Sequence, residues 1–464
     1  MDKYSSGIAS LVDKISKNRR LVGLALLIIL IQFAAIAYLQ TFKPRDIIMD
    51  TSFFFAPAYN LAKYGVLTNS LRPDLTGFGS NTYWMPPLYF VLESLVYRIF
   101  DPTNPTLRLI APVILPIVLS LLGLWLLLDF LTKIKPSGEV SRLLILAAIL
   151  SPGFIYTAIT NRPEALMGLI AVAMLVVSSP VLLGLLSAAA ISTHFAAALL
   201  VIYAVAKSYK NKNLVTMLVF CGIFLLPYLY FISLQPSSAI QQILDNGLSV
   251  GVQKAYLPSL FGLFKFFPMI LPTLFYGWKE LKSKKIPGLE FLFGVFVFIA
   301  IVPMGAESKY AIMAVPFLLY WIMKNHDSQE VRAYLVSIIA LNLFFGFIAV
   351  GQEALSTGNP TNIVNMTSTL PPGTCFSFEY FYMLRDQVIY FQNEMSPTTD
   401  FTYNTCKYVV AMKGFKEPAC MIEQKTLIEV KPFLFAQLGF VDHSTVLYEN
   451  QCQNISESGL GGQD

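Results

Sequence analysis

The sequence predicts an α-helical polytopic membrane bundle of about eleven spans, followed by a small extracytoplasmic α/β or α+β domain. Three observations predict it. Of 464 residues, 55% are hydrophobic and only 13% charged, against roughly 25% charge in soluble domains. The apolar stretches reach the span length of about 20 residues and are continuous instead of alternating, which disfavours a β-barrel. Past residue 350 the pattern changes, and turn signals at Gly358-Asn359-Pro360, Pro371-Pro372-Gly373 and Glu417-Pro418 separate short runs.

Spans are read at 21–41, 108–130, 142–159, 165–179, 181–193, 195–206, 214–233, 258–276, 288–305, 310–323 and 333–350. The three between 165 and 206 are short, so Ser178-Ser179-Pro180 and Ser192-Thr193-His194 read as tight reversals sunk below the membrane surface. Orientation follows from Lys and Arg, which are retained in the cytoplasm. Lys14, Lys17, Arg19 and Arg20, then Lys133, Lys135 and Arg142, then Lys207, Lys210 and Lys212, then Lys279, Lys282, Lys284 and Lys285 all fall on one side when about eleven spans are threaded. This makes the chain a multi-pass plasma-membrane protein with a cytoplasmic N-terminus. The stretch from Met1 to Arg20 is mixed in character, so no cleavable signal peptide is expected. The transmembrane region is then 1–350 and the extracytoplasmic domain 352–464. Loop lysines and arginines account for much of the basic side of the net charge of +5, which calls for no nucleic-acid partner.

The first outer loop, 43–107, is too long for a connector. Phe53, Phe54, Phe55, Leu61 and Tyr64 form an apolar stripe on a helix starting near Asp50. Pro86-Pro87 opens a second segment, Leu88 to Phe100, with Glu93 and Arg98 as polar breaks. Both read as helices lying in the interface. In the tail, Lys407 to Met412 and Ser444 to Tyr448 read as strands and Phe378 to Phe391 as a helix. Cys375, Cys406, Cys420 and Cys452 all lie in this tail. On the oxidising side of a membrane they suggest two disulfides, for which three pairings are open; free core thiols or a metal site are the other readings. The sequons at Asn365 and Asn454 agree with an outside location.

Charge is expensive in such a chain. Asp50, the run Asn161-Arg162-Pro163-Glu164, and Glu307-Ser308-Lys309-Tyr310 all sit at span ends on the same side. Ionisable groups cost roughly 2.5 to 3.5 kcal/mol each at the bilayer centre, so this grouping points to a site.

The run from Asp50 to Gly65, followed by Tyr83-Trp84-Met85-Pro86-Pro87-Leu88-Tyr89, resembles the first outer loop of the GT-C membrane glycosyltransferases. The similarity is to the branch of protein mannosyltransferases and lipid A aminoarabinose transferases. Asn161-Arg162-Pro163-Glu164 resembles that branch's acidic motif opening the fourth span, and Lys309-Tyr310 with Pro316 its basic-residue-Tyr motif. In the aminoarabinose transferases an acid and a Lys precede the loop proline, where this chain has Trp84 and Met85. The Trp-Trp-Asp motif of oligosaccharyltransferases is absent, which disfavours transfer of a whole glycan to asparagine.

The resemblance implies transfer of a sugar from a polyprenyl phosphate carrier to a protein, lipid or glycan acceptor on the non-cytoplasmic face. Attack by a hydroxyl on an anomeric carbon needs a carboxylate to take the proton, and the departing phosphate needs cations. Asp50 fits the first role, with Asp46 as its rival; Arg162 and Lys309 fit the second. Glu164 is a candidate to orient Arg162, bind sugar hydroxyls or hold a divalent cation, and these stay open. Trp84 and Tyr83 are candidates to stack on a sugar, with Tyr310 and His194 as further substrate contacts. Structural readings stand beside each role: Asp50 as a helix N-cap, Arg162 and Glu164 as a solvated turn, Lys309 snorkelling to headgroups, and His194 as a packed histidine. The rival class is a transporter or lipid-linked sugar flippase, but the two repeated halves with paired broken helices are not evident.

Overall fold

The computed structural model describes residues 46–68, 81–83, 85–102, 107, 111–251, 263–264, 266–283, 288–301, 308–354, 374–377, 397–398, 408–412, 421–428 and 445–451. The span read at 21–41 and the helix read at 378–391 lie outside the described residues.

The first outer loop carries two helices, α1 (Asp46–Tyr64) and α2 (Leu88–Ile99), packed on each other. Helix α1 is already formed at Asp46, a full turn before Asp50, so the N-cap reading of Asp50 is replaced by an interior position. Phe54 and Phe55 are buried, whereas Tyr64 at the far end of the stripe is exposed.

The bundle follows. Helix α3 (Ala111–Ile134) buries Leu119, Gly123, Leu127 and Leu131 at every fourth position, and its other faces expose Val118, Leu121, Leu122 and Trp125. A helix apolar on every side, with only one side covered by protein, has lipid as its solvent. Helix α9 (Leu214–Ser233) repeats the pattern, burying Met217, Cys221 and Tyr228 and exposing Val215, Val219, Leu226 and Tyr230. This chain is an integral membrane protein. Among the described residues three helices, α3, α9 and α14 (Ser328–Ala354), are long and apolar enough to cross a membrane alone.

The remaining elements are shorter. The stretch read as one span at 142–159 is two helices, α4 (Gly138–Ile149) and α5 (Pro152–Ile159), bent by 62°. Pro152 has no N–H to continue the ladder, and Ser151 caps the new helix by accepting from the Phe154 N–H at 3.4 Å. Next come α6 (Glu164–Val176) and α7 (Pro180–Thr193), a 3-10 turn at 195–198, and α8 (Leu199–Lys210). The reversals read at Ser178-Ser179-Pro180 and Ser192-Thr193-His194 are the breaks on either side of α7. After α9, residues read as loop form α10 (Pro236–Gly251). Helices α11 (Ile270–Lys282) and α12 (Leu289–Ile301), a second 3-10 turn at 308–313, and α13 (Val315–Asn325) complete the set before α14.

In the tail, β1 (Thr374–Ser377), β2 (Pro397–Thr398), β3 (Tyr408–Met412), β4 (Met421–Ile428) and β5 (Thr445–Asn450) form one sheet in the order β2-β1-β3-β5-β4. Strand β1 is parallel to both neighbours and β5 antiparallel to both of its own, so the sheet is mixed.

Candidate active site

The turn leading into α6 is built by local bonds. Thr160 Oγ1 donates to the Tyr156 carbonyl at 2.7 Å, and the Arg162 N–H donates to the Thr160 carbonyl at 2.8 Å. Pro163, with φ of −70°, directs the chain into the helix, and Glu164 takes the first helical position, where the helix dipole favours an acid. Arg162 Nε donates to Glu164 Oε1 at 2.7 Å, with the two residues only 2% and 0% exposed. A solvated turn is thereby excluded. Each buried ion costs several kcal/mol of desolvation, so this pair is a demanding feature to maintain. Glu164 Oε2 has no hydrogen-bond partner among the described residues. The Phe54 ring of α1 lies 5.6 Å from the Arg162 guanidinium carbon.

Asn161, in the same turn, is fully buried and held by α2. Its Oδ1 accepts from the Tyr89 hydroxyl at 2.8 Å, and its Nδ2 donates to the Tyr97 oxygen at 3.0 Å. Tyr97 in turn donates to the buried Glu93 carboxylate. Burial, and then the nearby Glu93 and Glu164 charges, push the Tyr89 phenol well above its ordinary pKa, so it remains a hydrogen-bond donor.

A second cluster comes from the 3-10 turn at 308–313. Lys309 is half-buried with Nζ 5.2 Å from the centre of the Tyr156 ring of α5. Tyr310 Oη and His194 Nε2 are 2.9 Å apart, and His194 Nδ1 accepts from the Ala196 N–H at 3.0 Å. With Nδ1 accepting, the neutral ring carries its proton on Nε2 and donates it to Tyr310. The turn packs on the start of α6: a Cβ added at Gly168 would lie 3.1 Å from Ile312 Cγ1.

A cavity of about 90 Å³ opens along α6 immediately past Glu164. Ala165, Gly168 and Val172 line it together with Ile312, Pro316 and Leu319 and with residues of α3, α4, α5 and α14.

Of the residues singled out in the sequence, Arg162 and Glu164 are paired, Tyr310 and His194 are paired, and Lys309 lies over the helix leading into the first pair. Asp50 lies in α1, but its side chain, like Trp84 as a whole, lies outside the described residues. Cys375 is described only by its backbone in β1, and Cys406, Cys420 and Cys452 lie outside. Among the described residues no three His, Cys, Asp or Glu side chains converge as metal ligands. Sequence reading missed Tyr89, Tyr97 and Tyr156 and took Glu93 for a polar break. The signal was there: Tyr89, Glu93 and Tyr97 recur every fourth residue and so share one helix face.

No family model matches the chain, and no curated protein sequence matches it. Among solved structures it is similar to ArnT from Cupriavidus metallidurans bound to undecaprenyl phosphate, with 11% identity and a TM-score of 0.54 over 96% of this chain and 100% of that one. The apo state of the same protein aligns at 11% identity and a TM-score of 0.47 over 90% of this chain and 97% of that one. At 11% identity, the likeness to the bound form is a likeness of fold.

Proposed function

We propose that this chain, which shares the GT-C membrane fold of ArnT, is a glycosyltransferase that moves a sugar from a polyprenyl phosphate carrier to an acceptor hydroxyl on the non-cytoplasmic face. The observation that carries the reading is the buried Arg162–Glu164 pair, next in sequence to Ala165, which lines an apolar cavity. A charge pair close to an apolar slot suits an amphiphile, whereas a soluble sugar nucleotide has no use for the slot.

Lys309 is proposed to join this pair. Ile312 meets Gly168, one turn or ~6 Å below Glu164 along α6, and Lys309 stands three residues or ~6 Å before Ile312 in a 3-10 turn, where i and i+3 eclipse. In this reading Arg162 and Lys309 flank one phosphate. Their role is to neutralise the leaving phosphate as its charge develops. Glu164 Oε1 aims Arg162, and Oε2 is available to a sugar hydroxyl or a cation. Asp50 is the proposed base. It stands four residues before Phe54 in α1. Trp84, Tyr310 and His194 are proposed substrate contacts. The full span count of about eleven, the tail as an extracytoplasmic domain over 352–464, and the cysteine bridges belong to the same proposal.

The test incubates purified protein with radiolabelled undecaprenyl and dolichyl phosphate sugars and follows label leaving the lipid for hydroxyl acceptors. Transfer is expected with at least one donor. Translocation of intact donor across liposomes without loss of label from the lipid would instead establish the flippase.

A further inference from the structure

Among the buried groups that transfer chemistry does not itself use, the Glu93 carboxylate is the most demanding, being fully inaccessible on a helix of the first outer loop. We propose that Glu93 is a positioning residue for the phosphate-binding turn, acting through Tyr97 and Asn161. The inference rests on the transfer reading above and deepens it.

The chain of bonds has a direction. A carboxylate only accepts, so Tyr97 spends its one hydroxyl proton on Glu93 and meets Asn161 as an acceptor. That fixes the Asn161 amide: Nδ2 faces Tyr97, and Oδ1 is left to take the Tyr89 proton. Asn161 is thus clamped by both of its amide atoms to one face of α2, and Arg162 is the next residue. A glutamine at 93 would break the direction, because its amide can donate to Tyr97 and allow Asn161 to flip. The turn bearing Arg162 would then have two arrangements of similar energy. Helix α2 packs on α1, which carries Asp50, so the same clamp keeps proposed base and proposed phosphate ligand in one frame.

The test compares Glu93→Gln, Tyr97→Phe and the double variant, each as full-length protein in detergent. Hydrogen exchange at the amides of 160–164 is read by mass spectrometry beside the kinetics of label release. We expect each single variant to raise exchange at the turn and to lower kcat about ten-fold with the donor KM within about two-fold, and the double variant to be no worse, since both residues belong to one chain of bonds. Unchanged exchange at the turn in both single variants overturns the proposal, as does a double variant whose loss is the product of the two. A fall in unfolding midpoint with kcat intact also overturns it, by making Glu93 a packing contact only. Wild-type protein that releases label from no donor refutes transfer instead, and the exchange readout still judges the clamp.

Discussion

At the scale of single residues, the two halves of the site differ in how readable they were. Arg162 and Glu164 stand out in any hydropathy reading, because charges inside an apolar run are costly and therefore retained for cause. Their burial was not readable, since what packs around their turn comes from sequence positions far away: Phe54 of α1 against Arg162, and Tyr89, which bonds the neighbouring Asn161 across 72 positions. The pair itself makes a prediction. Arg162→Met leaves Glu164 charged, buried and unpaired, and breaking such a pair costs about 3 to 5 kcal/mol. The Arg162→Met/Glu164→Leu double variant removes both charges and should recover most of that loss in a denaturation experiment while remaining without transferase activity. Equal destabilisation of single and double variants would mean that the ion pair is not what holds the turn. Asp50 supplies the complementary case. Asp50→Asn keeps shape and removes the base, so label release should fall at least a hundred-fold with expression and membrane insertion unchanged; near-normal turnover takes Asp50 out of the mechanism.

At the scale of elements, most helices were legible as apolar runs, but their breaks were governed by local chemistry that hydropathy averages out. Pro152 cut one predicted span into α4 and α5, and the loop after α9 hid α10, whose apolar residues are too few for a hydropathy window. That helix matters for the outer loop: Gln242 accepts from the Tyr83 N–H at 2.7 Å and donates to the Asn81 carbonyl at 3.1 Å, tying the loop beside Trp84 to the bundle. The sequence reading passed over one mark of close helix approach, Gly184 with Ala188 four residues on, the small-xxx-small spacing. At Gly184 an added Cβ would lie 2.6 Å from the Met217 carbonyl and 2.8 Å from the Cys221 nitrogen. Both are backbone atoms of α9, which cannot yield as a side-chain tip does. Gly184→Leu should therefore push α7 off α9 and cost at least about 1 to 3 kcal/mol, read as a lower unfolding midpoint in detergent. Because His194 directly follows α7, the Tyr310 contact should loosen with it, whereas a silent substitution would show that the two helices are not in backbone contact.

At the scale of the whole molecule, one helix relates the site to the membrane. Helix α6 begins at Glu164, and the carbonyls of Met174 and Leu175 near its other end accept from Lys207 Nζ at 3.0 and 2.8 Å. Lys207 belongs to the lysine-rich set that the positive-inside rule assigns to the cytoplasm, so the opposite end of α6, with Arg162 and Glu164, points away from it. A helix of 13 residues rises only ~20 Å, less than the ~30 Å hydrocarbon core, so α6 does not span the core by itself. In the proposed orientation the site and the tail both lie outside, where the tail cysteines would oxidise. The sheet was readable from alternation and turns at β3 and β5, whereas its mixed order, with β1 beside β3, depends on long-range pairing that carries no local mark. A single labelling experiment joins these points. On intact cells a membrane-impermeant maleimide should leave the native protein unlabelled, label it after mild reduction at Cys375, Cys406, Cys420 and Cys452, and reach an introduced Ser283→Cys, beside Lys282 at the end of α11, only after permeabilisation. The buried Cys221 should stay silent until denaturation. Labelling of Ser283→Cys on intact cells would invert the topology and put the phosphate-binding turn on the cytoplasmic side. Tail thiols that react without reduction would instead leave the orientation standing and remove the covalent bridges from the tail.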